Sequence, residues 1–539
     1  MFRWFRPIQT QQPHASLISI LAINYLWFCN LYQVFVTVNA LVFTVKHFTD
    51  DPRLIALTSS IGTGFSFLIG PICNYLSDRI WTRLGRRRPF IVVGWTAVAF
   101  GMALIPFMPS YGALATLVVV YTLIGDMATP VEPLCMEVVP PEQRGRSMAV
   151  RLIMIQACLL FYFQILFPRF DDHFQISQAV PLLGGLEFTG EKMIYAIGSL
   201  LFFSAVAFAL FCVRETKVPD APNITLRELE FAPIKGARNF LTEIFADRRW
   251  WWIYLLYCSA NAFLFSWTNS PLYTLLLTDQ FGYTKPNIAI MSLPAMVVGV
   301  LAIMPIMGWY SDKQPRLSYP LLGALAVVGF AVPWLLRAHF EMPMDHLPNV
   351  GWLLVLGGLT TGGVACVYLM VAQFVLNRTG KAGARAWIFC VSLALQIVQA
   401  FCCWLLIRYF KGLDGAVPPI LIWFIFDQLR LTLKSCTEVI TSPMFFDFVP
   451  RDKMGTLSSG FGFTNSLLVF ILTNTAGYWI QWNSDIGAKN YASGYLLQTI
   501  VGLIALLGVI IFLRAFRRGK ILEYGRLGLS AEAQPNTVS

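Results

Sequence analysis

PICNYLSDR, Pro71 to Arg79, and PIMGWYSDK, Pro305 to Lys313, are one motif written twice. Pro, Ile, an aromatic, Ser, Asp and a base recur at equal spacing, 234 residues apart. A second pair follows. PLCMEVVPPEQRG, Pro133 to Gly145, and PMFFDFVPRDKMG, Pro443 to Gly455, share Pro-x3-acid-x-Val-Pro-x4-Gly, now 310 residues apart. Two motif pairs in the same order mark an internal duplication. The offsets differ by 76 residues, about the length of two membrane-crossing helices of roughly 20 residues each with their loops. The second half therefore reads as a copy of the first with an extra helical hairpin inserted near 345–417.

The segments between these motifs are apolar. The chain has 539 residues, 56% of them hydrophobic and 13% charged, with a mean hydropathy of +0.62. A bilayer core takes about 20 residues of helix. Spans are predicted at 17–43, 54–76, 89–109, 112–138, 147–168, 192–213, 250–277, 287–310, 318–337, 351–376, 386–408, 418–447, 456–482 and 494–514. That makes an all-α polytopic membrane protein of fourteen transmembrane helices: a six-helix bundle over 1–213, a linker at 214–249, a second bundle with the inserted hairpin over 250–514, and a tail at 515–539. The first apolar run is too long for a signal peptide and lacks a small-residue cleavage site. With the N-terminus inside, the inner segments hold 29 of the 40 basic residues and the outer ones nine, in keeping with the positive-inside rule. The net charge of +11 then marks a cytoplasmic face, and nucleic acid is not an expected partner. Both termini are expected in the cytoplasm of a cell-membrane protein. The eleven cysteines sit in or beside apolar runs and form no framework, and the five histidines form no metal cluster. No nucleophile–base pair or phosphate loop supports an enzyme, and no cofactor or metal is expected.

Two parallel six-helix repeats are the layout of the major facilitator superfamily, which this chain resembles. SDRIWTRLGRRRPF, Ser77 to Phe90, resembles that superfamily's loop signature after the second helix. Its wider spacing is similar to the sucrose:proton symporters and, more loosely, to the glycoside–pentoside–hexuronide:cation symporters. The resemblance implies a cytoplasmic gate of switchable ion pairs at Asp78, Arg79, Arg86 and Arg87, with Asp312 in the second copy. A plain positive-inside anchor is the alternative. Glu137 and Asp447 at the inner ends of their helices, with Arg144 nearby, read as further gate or capping groups. The chain departs from the sugar branch in three places. Asn74 stands for Gly, Glu132 stands where the sugar symporters carry Arg, and the first helix lacks an acid.

The span at 418–447 carries Asp427, Arg430, Lys434 and Glu438 in its middle. On a continuous helix all four fall within an arc of about 80°. Facing lipid, they would cost about 2.5–3.5 kcal/mol each. Three readings stand: a self-neutralised ladder of Asp427 with Arg430 and Lys434 with Glu438, a segment that does not span, or a transport site. In the resembling family the matching helix lines the central cavity, and the first half offers Asp126 and Glu132 in span four, on different faces by helical arithmetic. Asn30, Gln33 and Thr37 share one face of span one, and Asn261 and Thr268, beside Trp267, share one in span seven. Amides and aromatics suit a polyol, although interhelical hydrogen bonding is an ordinary use of them. The expected activity is secondary transport by a monomer, as proton-coupled symport of a small polar, sugar-like solute. Export of amphipathic compounds or organic anions, and a non-transporting sensor or scaffold, are the alternatives.

Overall fold

Three of the apolar runs begin at a side-chain cap. Ser16 accepts the Ser19 N–H at 3.1 Å and starts α1, Leu17–Phe35. Ser110 and Thr189 do the same for α5, Tyr111–Gly125, and α8, Gly190–Phe211. In the computed structural model the described residues are 8–9, 16–77, 81–139, 144–175, 187–215, 242, 245, 247–298, 357, 360–364, 367–368, 370–371, 374–375, 383–412, 418, 420–449, 454–484 and 489–521. The chain divides into two compact units, Met1–Glu243 and Ile244–Ser539.

In the first unit α1 runs through a π-helical turn, Val36–Ala40, into α2, Leu41–Lys46. Then come α3, Pro52–Ser77, α4, Arg88–Leu104, and α5. The predicted fourth span is broken: α5 ends in a 3-10 turn, Asp126–Ala128, and resumes as α6, Val131–Val138. Next is α7, Arg144–Leu160, which also passes into a π turn, Phe161–Leu166, and last is α8. The long partners are α4 with α8 and α1 with α7. Polar ties fix the second pair and its neighbours. Asn24 donates to the Ser147 hydroxyl at 3.0 Å, and the Tyr32 hydroxyl to the Ile194 carbonyl at 2.7 Å. Such bonds replace the missing hydrophobic force between helices in lipid.

Two small sheets were not expected. Strands β1, Ile8–Gln9, and β4, Val213–Arg214, pair in parallel, and β2, His173–Gln175, pairs antiparallel with β3, Glu187–Thr189. Two- and three-residue strands leave no periodic pattern to read.

In the second unit α9, Arg248–Ser266, breaks at Trp267–Ser270 before the short α10, Leu272–Leu275, and a π turn, Leu276–Gln280. The unit continues with α11, Lys285–Val298, α12, Ala384–Gly412, α13, Ile420–Phe448, α14, Met454–Trp482, and α15, Ser493–Arg517. Helix α15 packs on α9 and α12, and α13 packs on α11 and α12. At the α9–α15 contact a Cβ on Gly494 would lie 2.2 Å from the Trp267 ring, so only glycine lets the indole close.

Thirteen of the fourteen predicted spans thus contain described helical residues, the tenth only at scattered positions, and the ninth lies outside the described residues. Six helical runs are long and apolar enough to cross a membrane among the described residues, Leu17–Lys46 and Ser493–Arg517 being the first and last. The charged α13 is not one of them, yet it is a single helix of 29 residues, long enough to span.

Candidate functional site

The stripe on α13 begins with a closed ion pair. The Arg430 Nη2 lies 2.7 Å from Asp427 Oδ1, and its Nε donates to the same oxygen at 2.9 Å. That oxygen also accepts the Tyr273 hydroxyl at 2.9 Å, while the guanidinium sits 4.8 Å over the Tyr273 ring. Both charged side chains are nearly enclosed, 12% exposed for Arg430 and 8% for Asp427. One tyrosine from α10 therefore supplies both a donor to the acid and a π face to the base. Trp267, Tyr273, Trp423 and Tyr495 form a chain of edge-on rings around the pair. Half of the ladder reading is thus formed. Lys434, one turn on, is half-buried, and its Nζ donates to Asn269 Oδ1 at 2.9 Å, in the break between α9 and α10. Glu438 lies on α13, and its side chain is outside the described residues.

In the first unit Glu132 has a partner that sequence reading missed. Arg151 Nη1 on α7 donates to the Glu132 oxygens at 2.9 and 3.2 Å. The Arg151 guanidinium stacks 4.3 Å over the Trp27 ring of α1. The two ends of this pair differ: Arg151 is 9% exposed, whereas Glu132 is 40% exposed. The signal was present, since Arg151 is a lone base followed by an apolar run, LIMIQACLL. The rule used for Arg430 applies to it equally. Asp126 sits in the 3-10 turn, where Thr129 Oγ donates to its backbone carbonyl at 3.1 Å. Because that turn interrupts the helix, the angle assigned between Asp126 and Glu132 from continuous helical spacing does not hold.

The predicted solute-binding residues divide. Asn30 and Gln33 are half-buried on α1, and Thr37 falls inside the π turn, beside the Tyr121 hydroxyl. The other group is engaged in the fold. Asn261 donates back to the Tyr257 carbonyl at 3.1 Å, Thr268 accepts from Gln498 of α15 at 3.0 Å, and Trp267 is fully buried.

Of the predicted gate residues, Asp78, Arg79 and Asp312 lie outside the described residues, as do the side chains of Glu137 and Arg144. Asp447, at the end of α13, accepts a 2.7 Å ion pair from Arg385 at the start of α12. The backbone N–H groups of Arg86, Arg87 and Arg88 all donate to the Glu215 carboxylate, at 2.9 to 3.2 Å. Glu215 thereby caps α4, as a carboxylate at a helix N-terminus should. The Arg88 guanidinium in turn donates to the Leu84 carbonyl in the turn before α4 and to the Ala209 and Leu210 carbonyls near the end of α8. Among the described residues no group of three or more His, Cys, Asp or Glu is placed to hold a metal.

Residues 26–395 match the model of the Major Facilitator Superfamily. A stretch of 58 residues is 38% identical to the Sucrose transport protein SUT5 of Oryza sativa subsp. indica, and equally to that of subsp. japonica. It covers 11% of this chain and 11% of the relative's length. Among solved structures, a peptide transporter POT in complex with sulfate aligns over 96% of this chain and 98% of its own, with TM-score 0.51 at 14% identity. A POT family transporter in complex with 5-aminolevulinic acid aligns over 95% and 98%, with TM-score 0.50 at 11% identity. At such identities the likeness is one of fold.

Proposed function

This chain belongs to the major facilitator superfamily and is a multi-pass secondary transporter, not an enzyme; from that premise we propose that it is a proton-coupled symporter of a small polar, sugar-like solute. It works by alternating access of two bundles, 1–213 and 250–514, joined by the 214–249 linker, with the helix pair near 345–417 inserted in the second. It acts as a monomer in the cell membrane with both termini in the cytoplasm. The short stretch shared with a sucrose transport protein supports the solute class.

The observation that carries the reading is the asymmetric Glu132–Arg151 pair, exposed at the acid and enclosed at the base. The sugar-symporter pattern expects a base at 132; here an acid holds that position and the base stands on the next helix. In a hydrated transport path, an acid exposed to that degree takes up and releases protons. Protonating Glu132 removes its grip on Arg151 and frees guanidinium N–H groups to donate to solute hydroxyls. Loss of the proton on the other side restores the pair and expels the solute. Asn30, Gln33 and Thr37 would supply further donors and acceptors. Asp427, Arg430, Lys434 and Glu438 form the second ionisable group, with Asp126 as another carboxylate in span four. Gating falls to Asp78, Arg79, Arg86, Arg87, Glu137, Arg144 and Asp312, and to the Asp447–Arg385 pair.

Uptake by purified protein in liposomes tests this. An imposed inward proton gradient should drive accumulation of a sugar in the parent. In Glu132→Gln the gradient should lose its effect while solute counterflow continues. Gradient-driven accumulation undiminished in Glu132→Gln would overturn the assignment. Uptake of organic anions alone would favour the basic pair on α13 as the binding group, and no flux of any solute would favour a sensor.

A further inference from the structure

We propose that the last turn of α12 binds the phosphate of an anionic phospholipid, clamped by Arg408 and Lys411. Helix α12 contains one of the long apolar runs, Arg385–Gly412, so its last turn lies where hydrocarbon gives way to headgroups. Val398, Phe401 and Leu405, spaced i, i+3 and i+7 and so on one face, are 60%, 39% and 44% exposed. An apolar face turned away from the protein is a path for acyl chains. Arg408, one turn beyond Leu405, continues it. The aromatic pair at this end, Trp404 and the exposed Tyr409, is the composition of a membrane interface.

Beside this turn opens a cavity of about 380 Å³, lined by Trp404, Ile407, Arg408 and Lys411 of α12 together with Gln280 and Asn490. The volume lies in the range of small-ligand sites. The Arg408 guanidinium rests 5.4 Å over the Trp404 ring, which lays its stem along the helix and holds its planar donors toward the cavity. The Gln280 carbonyl oxygen accepts the Ala492 N–H at 3.0 Å, leaving the amide NH2 as a donor for an oxyanion. Neither Arg408 nor Lys411 has a carboxylate within ion-pair distance among the described residues; Asp414 lies outside them. A helix C-terminus carries about half a negative charge, which two full cations exceed. A free anion would need only the cavity. A lipid also uses the exposed apolar face beneath it, and that face is why the lipid is the occupant.

The test is thermal unfolding of the full chain in detergent micelles doped with dioleoylphosphatidylglycerol, with dioleoylphosphatidylcholine, or with inorganic phosphate instead. Phosphatidylglycerol should raise Tm in a saturable way, and the other two should not. In Arg408→Gln/Lys411→Gln the half-saturating lipid fraction should rise roughly 30-fold, from the loss of two headgroup cations. Arg169→Gln, which removes an exposed base whose guanidinium donates to the Ile165 carbonyl, should respond like the parent. An unchanged response in the double variant, an equal loss in Arg169→Gln, or an equal shift from inorganic phosphate would each overturn the proposal. Should the double variant fail to fold, retention of the lipid by Lys411→Gln alone, read by native mass spectrometry, decides it: loss supports the site, and full retention refutes it.

Discussion

Two acid–base pairs of similar length differ in how they are enclosed, Asp427–Arg430 at both ends and Glu132–Arg151 at its base alone. Asp427 and Arg430 are both nearly enclosed. Replacing Asp427 by Asn strands the guanidinium, and breaking such a pair costs about 3–5 kcal/mol. A sharp fall in Tm is expected for Asp427→Asn, with much of it recovered in Asp427→Leu/Arg430→Met, which removes both charges. Thermal unfolding of the three proteins checks this; a double variant no better than the single would refute it. Glu132 is 40% exposed but its partner Arg151 only 9%, so Glu132→Gln also leaves an enclosed guanidinium without its counter-charge, and a stability loss of about 1–3 kcal/mol is expected, smaller than for Asp427→Asn because only one end of the pair is enclosed. At this scale the sequence was legible where charge stood against an apolar background. Asp427, Arg430, Lys434 and Glu132 were found that way. Tyr273, Trp27 and Asn269 were not, because an aromatic or an amide in an apolar run gives no sign of what it will face until the helices pack.

Elements were legible in position but not in continuity. Helices α12, α13 and α15 fall within a few residues of their predicted spans, since hydropathy reports length well. It does not report the 3-10 break at Asp126–Ala128 or the π turns at Val36–Ala40, Phe161–Leu166 and Leu276–Gln280. Those depend on how backbone and neighbours meet, and they void face assignments made by counting across them. The Glu215 cap was equally hidden, lying far along the chain from the three N–H groups it accepts. Glu215→Gln keeps the shape but loses the charge-assisted bonds at the start of α4. A stability loss of about 1–2 kcal/mol is expected, read as a lower Tm. Gly494→Ala should cost about 1–3 kcal/mol through overpacking against Trp267. An unaltered Tm in that variant would show that the indole has room to move.

For the chain as a whole, the repeated motifs carried the family and the transport class before any packing was known. They could not carry the solute, because both copies describe loops rather than the lining of a path. The coupling proposal makes a signed prediction at this scale. Uptake into liposomes should grow as the outer pH falls below the inner pH, and reversing the gradient should drive efflux. Flux that ignores both gradients would leave a uniporter.

The π turns carry a consequence for engineering. Each holds one residue more than an α-helix needs over the same rise. Deleting Val38 lets Val36–Ala40 relax to ordinary helix, with the flanking packing of Tyr32 and Val42 kept in phase. Deleting Leu26, buried in the regular part of α1, turns everything before it by about 100° and shears its contacts with α7. The first truncation should reach the membrane folded and the second should be degraded, a contrast that fluorescence-detected size exclusion would show from small cultures.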